Sequence, residues 1–129
     1  MGRVPIVRIG NTLLATVQDD LYDRDALALQ EELSAMLEQT EARGVLIDVS
    51  VVETVDSYLG RILRDVALGA RLLGAHTVVV GIQPAVAVTL VELGLEIKGI
   101  HTALNPEKGL ARLRRLLAAE EARDRSRVR

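Results

Sequence analysis

The sequence predicts an α/β sandwich: a mixed β-sheet of about five strands with four helices. Three observations predict it. Short, very apolar, β-branched runs recur at residues 45–49 and 76–80. Longer stretches between them repeat their apolar residues roughly every three or four positions, the helical period. The chain opens with two strand-like runs around Gly10-Asn11, a good hairpin turn. Alternating strands and helices build a largely parallel sheet, and the hairpin supplies its antiparallel part.

Residues 4–9 and 12–17 are the hairpin strands. Residues 24–43 are predicted helical, with Asp23 as N-cap and Ala26, Leu29, Leu33, Met36 and Leu37 as the buried stripe. Gly44 is read as the stop, and residues 45–49 as a buried strand. A second helix spans about residues 57–73, buries Leu59, Ile62, Leu63, Val66 and Ala70, and stops at Gly74. Residues 76–80 form a continuous β-branched strand, expected to be central and covered on both faces. Pro84 suits the first turn of a helix that ends at Gly94. Residues 100–104 are a short strand. Asn105-Pro106 caps the last helix, whose stripe is Leu110, Leu113, Leu116 and Leu117. The order is β-β-α-β-α-β-α-β-α. One domain is expected over residues 1–119. Residues 120–129 alternate acids with arginines and read as a fraying helix end or a solvated tail.

A chain of 129 residues buries roughly two-thirds of its unfolded surface. It has no cysteine, so disulfides and thiolate metal sites are excluded. The net charge of -2 gives no drive toward nucleic acid or acidic lipid. Phe and Trp are absent, which removes a base-stacking platform. The first residues lack the apolar core of a signal peptide. Residues 85–91 are far short of the ~20 apolar residues that span a bilayer. The expectation is a soluble cytoplasmic protein with neither nucleic acid nor membrane as partner.

Enzyme chemistry finds no support in these residues. The two histidines, His76 and His101, lie in predicted strands away from any local carboxylate pair. A zinc site takes roughly three or four ligands, and no such spacing exists here. Gly81-Ile82-Gln83-Pro84 lacks the lysine and glycine spacing of a phosphate loop. Gly-x-Ser-x-Gly is absent too. The expectation is no catalytic residue, no metal and no cofactor.

Two segments stand out. Glu53-Thr54-Val55-Asp56-Ser57-Tyr58-Leu59-Gly60 is a polar junction between an apolar strand and an amphipathic helix. Ser57 falls where that helix starts and has two readings. As an N-cap it contributes about 1 kcal/mol. As a phosphate acceptor it gains about two negative charges near the positive end of the helix dipole. Asp56 and Glu53 repel those charges. The fit of this surface to an acidic or apolar partner then changes while the fold stays intact. The second segment is residues 81–94. Residues 85–93 are apolar almost all round, so the helix is either buried on all sides or offers a face to another chain. Pro84, Val86, Val88 and Leu90 are the expected contacts for a second copy or another partner chain. Thr89 is either a second phosphate acceptor or a threonine bonded back to its own helix.

Several stretches together resemble a known family. They are Val4-Pro5-Ile6, residues 27–33 with Gln30-Glu31-Glu32, Ile47-Asp48-Val49, Val55-Asp56-Ser57, Leu72-Leu73-Gly74-Ala75, residues 81–94 and Thr102-Ala103-Leu104. Over residues 4–118 the chain resembles a STAS domain, the fold of bacterial anti-sigma-factor antagonists. Within that family it is similar to the small scaffold subunit of the stressosome. Asp-Ser alone is a weak signal, whereas residues 81–90 form a long and specific one.

The resemblance implies a STAS-type sandwich and a protein that is not an enzyme. It implies a large homo- or hetero-oligomer with RsbR-type sensor paralogues that carry a C-terminal STAS domain. It implies an RsbT-type serine/threonine kinase that is held, phosphorylates the serine matching Ser57, and leaves. A PP2C-type phosphatase then resets the serine. Asp23, Asp56, Ser57 and Tyr58 become the partner-binding surface. Simpler antagonists carry Asp-Ser-Ser-Gly where this chain has Asp56-Ser57-Tyr58-Leu59-Gly60. That departure argues against direct binding of an anti-sigma factor. The stand-alone antagonist and the small-molecule-binding STAS domain remain as alternatives.

Overall fold

Alternation along one strand sets the layers of this molecule. In the computed structural model, residues 4–19, 22–92 and 100–127 are described. The elements are β1 (Ile6–Ile9), β2 (Thr12–Thr16), α1 (Asp23–Thr40), β3 (Gly44–Asp48), α2 (Ser57–Leu72), β4 (His76–Val80), α3 (Pro84–Glu92), β5 (Ile100–Ala103) and α4 (Pro106–Arg127). On β3, Val45 and Ile47 enter one core while Leu46 enters another on the opposite face.

The sheet order is β1-β2-β3-β4-β5. Among the described strands only β1 and β2 pair antiparallel; the other three pairs are parallel. Each crossover steps to the next strand in the same direction. Right-handed connections therefore place α1, α2 and α3 on one face. Their inward residues, among them Leu29, Leu33, Ile62, Leu63, Val66 and Val86, share one core with Leu13, Val45, Ile47 and Val79. The opposite face is covered by α4 through Leu113, packed against Leu46, Val78 and Val80. Gly109 permits that approach. A Cβ there would meet Leu46 Cδ1 at 2.5 Å and Val80 Cγ1 at 2.6 Å. Covered on both faces, β4 is buried along its whole length.

The fold class and element order agree with the sequence reading. Several boundaries do not. Helix α1 begins one residue earlier than expected, with Tyr22 as N-cap and Asp23 already helical. The Asp25 carboxylate accepts the Tyr22 N–H at 3.1 Å. The same helix ends at Thr40, because Glu41 takes a left-handed φ of 55° and donates its N–H to the Leu37 carbonyl. Gly44 is therefore not the stop. Arg43 and Gly44 both donate N–H groups to the Asn11 carbonyl, at 2.8 and 3.2 Å, which draws Gly44 into β3. Gly74, with φ of 85°, does follow the end of α2 as expected. Gly94 lies outside the described residues.

The last helix runs unbroken through Arg127, so residue 120 marks no structural break. Glu120 is partly buried, and its carboxylate meets three basic side chains. It pairs with His76 Nε2, with Arg43 at 3.2 Å and with Arg71 at 3.7 Å. Residues 121–127 are exposed.

Candidate functional site

Parallel strands deliver their loops to one end of the sheet, and the polar junction lies there. After β3 the chain turns sharply. Asp48 Oδ1 accepts the Ser50 N–H at 2.9 Å, and Val49 donates to the Val80 carbonyl at 3.0 Å. Val52 returns into the core, while Glu53, Thr54, Asp56 and Ser57 are exposed. A hydrogen bond from the Glu53 N–H to Asp19 Oδ1 at 2.9 Å ties this loop to the one before α1.

The N-cap of α2 is Asp56, not Ser57. Asp56 Oδ1 accepts the Leu59 N–H at 2.9 Å. Ser57 is the first helical residue, exposed, and its hydroxyl makes no hydrogen bond among the described residues. The capping reading of Ser57 is corrected by this geometry. Its hydroxyl stands beside the positive end of the α2 dipole without a structural duty.

Between the two tied loops is a pocket of about 170 Å³. Three carboxylates reach it, from Asp19, Asp23 and Asp56, together with Tyr22 and Tyr58. Ala26, Val52 and Leu59 give it an apolar floor. The structure thus brings Asp23, distant in sequence, to Asp56 and Tyr58, with Ser57 between these two at the start of α2. Asp19 and Tyr22 were not anticipated. The sole sequence signal for them is a polar pair, Gln18-Asp19, following an apolar strand. The Arg24 guanidinium lies 5.4 Å from the Tyr22 ring centroid, a cation–π contact at the pocket edge.

The second segment divides between two roles. Gly81 has φ of 78°, and a Cβ there would fall 2.8 Å from Ser50 Cβ. Gln83 Nε2 donates to the Ser50 carbonyl at 2.8 Å. The Gly-Ile-Gln run therefore clamps the start of α3 onto the loop that leads to Ser57. Val86 and Leu90 are buried in the main core, so they are not surface contacts. The outer stripe of α3 is Pro84, Val88 and Val91, with Val88 56% and Val91 79% exposed. Thr89 Oγ1 donates to the Ala85 carbonyl at 3.0 Å, which is the back-bonded arrangement.

The shifted acid–base groups lie away from Ser57. His76 opens β4 at the other end of the sheet. Its hydrogen bond to Glu120, reinforced by Arg71 and Arg43, holds that carboxyl below the usual range despite burial. Burial, followed by Arg112 and His76, holds the His101 imidazole below its ordinary value. Among the described residues no group of three metal-ligating side chains converges. No described helix is long and apolar enough to cross a membrane.

Comparison with known proteins gives a consistent picture. The model of the STAS domain family matches residues 3–108. A serine-to-glutamate variant of RsbS from Moorella thermoacetica superposes with a TM-score of 0.81 at 37% identity, covering 90% of this chain and 98% of that one. A chain from the molecular architecture of the stressosome, a signal integration and transduction hub, gives a TM-score of 0.77 at 38% identity, covering 88% and 98%. The RsbT co-antagonist protein RsbRD of Bacillus subtilis is 34% identical over 82 residues, which cover 61% of this chain. The match spans 30% of the length of that curated relative.

Proposed function

The chain belongs to the STAS domain family, and from that premise we propose that it is an RsbS-type, non-enzymatic scaffold of a bacterial stressosome, switched by phosphorylation of Ser57. The observation that carries this reading is the exposed Ser57 hydroxyl, relieved of capping by Asp56. An RsbT-type serine/threonine kinase transfers the γ-phosphoryl group of ATP to Ser57 Oγ. ADP leaves, and the hydroxyl proton passes to a base on the kinase.

The new phosphate adds about two negative charges to a surface that already holds Asp19, Asp23, Asp56 and Glu53. The α2 dipole tolerates it, while the neighbouring carboxylates repel it. A kinase face that meets this surface through acidic or apolar groups is repelled by the added charge or must desolvate it, and the kinase is released. A PP2C-type phosphatase restores the hydroxyl. Asp23, Asp56 and Tyr58 form the contact surface around the switch. The outer stripe of α3, at Pro84 and Val88, docks a second copy or an RsbR-type sensor paralogue in a large cytoplasmic assembly.

The test is binding by two variants. Ser57→Ala should hold the kinase within the particle whether or not ATP is present. Ser57→Asp should assemble with the paralogue yet retain at least tenfold less kinase. Equal kinase retention by both variants and the wild type would sink this reading.

A further inference from the structure

Beneath the start of α2 lies a second cavity, of about 120 Å³. Its walls come from four places. Val52 and Val55 precede Ser57, Leu59 and Leu63 follow it on α2, Val86 and Leu90 face inward from α3, and the sheet contributes residues such as Val79. Among the described lining residues Thr102 alone carries a polar side chain. A buried water needs about two to four polar partners, and the described lining offers one polar side chain. Apolar cavities of about 150 Å³ stay dry and take up benzene or xenon.

The walls are held apart. Gln83 and Gly81 fix the start of α3 against Ser50. Asp56 fixes the first turn of α2, and Asp19 fixes the loop before it. The space therefore resists collapse, and an apolar occupant adds dispersion contacts to its lining.

We propose that this cavity is a binding site for a neutral, apolar small molecule of about six heavy atoms or fewer, the size of benzene. Thr102 on the edge strand β5 is exposed and marks the side of entry. A bound molecule touches Leu59 and Leu63 on the helix that begins with Ser57, and Val86 and Leu90 on α3. Occupancy therefore couples the serine helix to the helix that carries the apolar outer stripe. The site needs neither kinase nor phosphate, so it stands or falls separately from the switch.

The probes are xenon and benzene, applied to the full unmodified chain with labelled methyl groups. Under rising xenon pressure, the methyls of Leu63, Val86 and Leu90 should shift and saturate, while exposed Leu72 and Leu104 should not. Val86→Phe and Val52→Leu each fill part of the space and should abolish or weaken the response. Should either variant fail to fold, thermal melts of the wild type decide. Its melting temperature should climb with benzene concentration, since a ligand of the folded state stabilises it by mass action. Shifts that stay linear in pressure, shifts that fall equally on Leu72 and Leu104, or a benzene-independent melting temperature overturn the proposal.

Discussion

The two ends of the sheet treat charge in opposite ways. At the end where β3 and β4 begin, Glu120 gathers His76, Arg43 and Arg71, and these groups satisfy one another. At the end where the strands finish, Asp19, Asp23 and Asp56 share a pocket with no cation among its described lining residues, and the Ser57 hydroxyl has no hydrogen-bond partner among the described residues. Internally satisfied groups fasten α4 to the sheet. Groups left unsatisfied at a surface are available to a partner. Function is therefore expected at the second end and stability at the first.

The largest expected effect concerns α4. Leu113 is 1% exposed and anchors the minor core, so Leu113→Ala should cost about 2–5 kcal/mol in urea unfolding. Glu120→Gln comes next, with a loss of about 1.5 kcal/mol near neutral pH from the charge-assisted contacts. That loss has a defined pH dependence. The folded Glu120 pKa lies below the ordinary value of 4.5, so its contribution is present above 4.5 and disappears as pH falls through the folded value. The gap between wild type and Glu120→Gln should therefore close as the buffer is made acidic through the folded Glu120 value. A gap independent of pH would mean that the carboxylate charge does not fasten α4.

Smaller changes are expected at the serine end. Asp56→Ala removes the α2 cap and should cost about 1 kcal/mol, seen as a lower urea midpoint. Ser57→Ala should alter stability by no more than about 0.5 kcal/mol, since the side chain is exposed and unbonded. A drop as large as that of Asp56→Ala would return Ser57 to a structural role. Thr77→Val completes the series. The Thr77 hydroxyl is buried without a partner among the described residues, so an isosteric apolar replacement should be neutral or slightly stabilising in the same assay.

What the sequence disclosed followed from periodicity. The stripes of α1 and α2 and the continuous run of β4 carry enough apolar repeats to fix element type and order. Caps were legible only to within a residue. Tyr22-Asp23 and Asp56-Ser57 each place two plausible residues side by side, and the choice depends on which one leaves the helical φ, ψ region. The end of α1 was hidden because Glu41, not a glycine, takes the left-handed conformation. Helix α3 has apolar residues on every side, so no period distinguishes buried Val86 and Leu90 from exposed Val88 and Val91. The Glu120 cluster joins residues up to 77 apart in sequence, which no local pattern encodes. Asp19 and Tyr22 reach the pocket for the same reason, through a loop contact to Glu53.

The most direct test of the central claim is a phosphate map. The purified protein is incubated with an RsbT-type kinase, an RsbR-type paralogue and MgATP, and modified sites are located by mass spectrometry while the kinase is followed by sedimentation. Phosphate on Ser57, appearing as the kinase leaves the large particle, is the predicted result. A kinase that binds stably and consumes ATP yet leaves Ser57 unmodified would contradict the account and move the switch onto the paralogue.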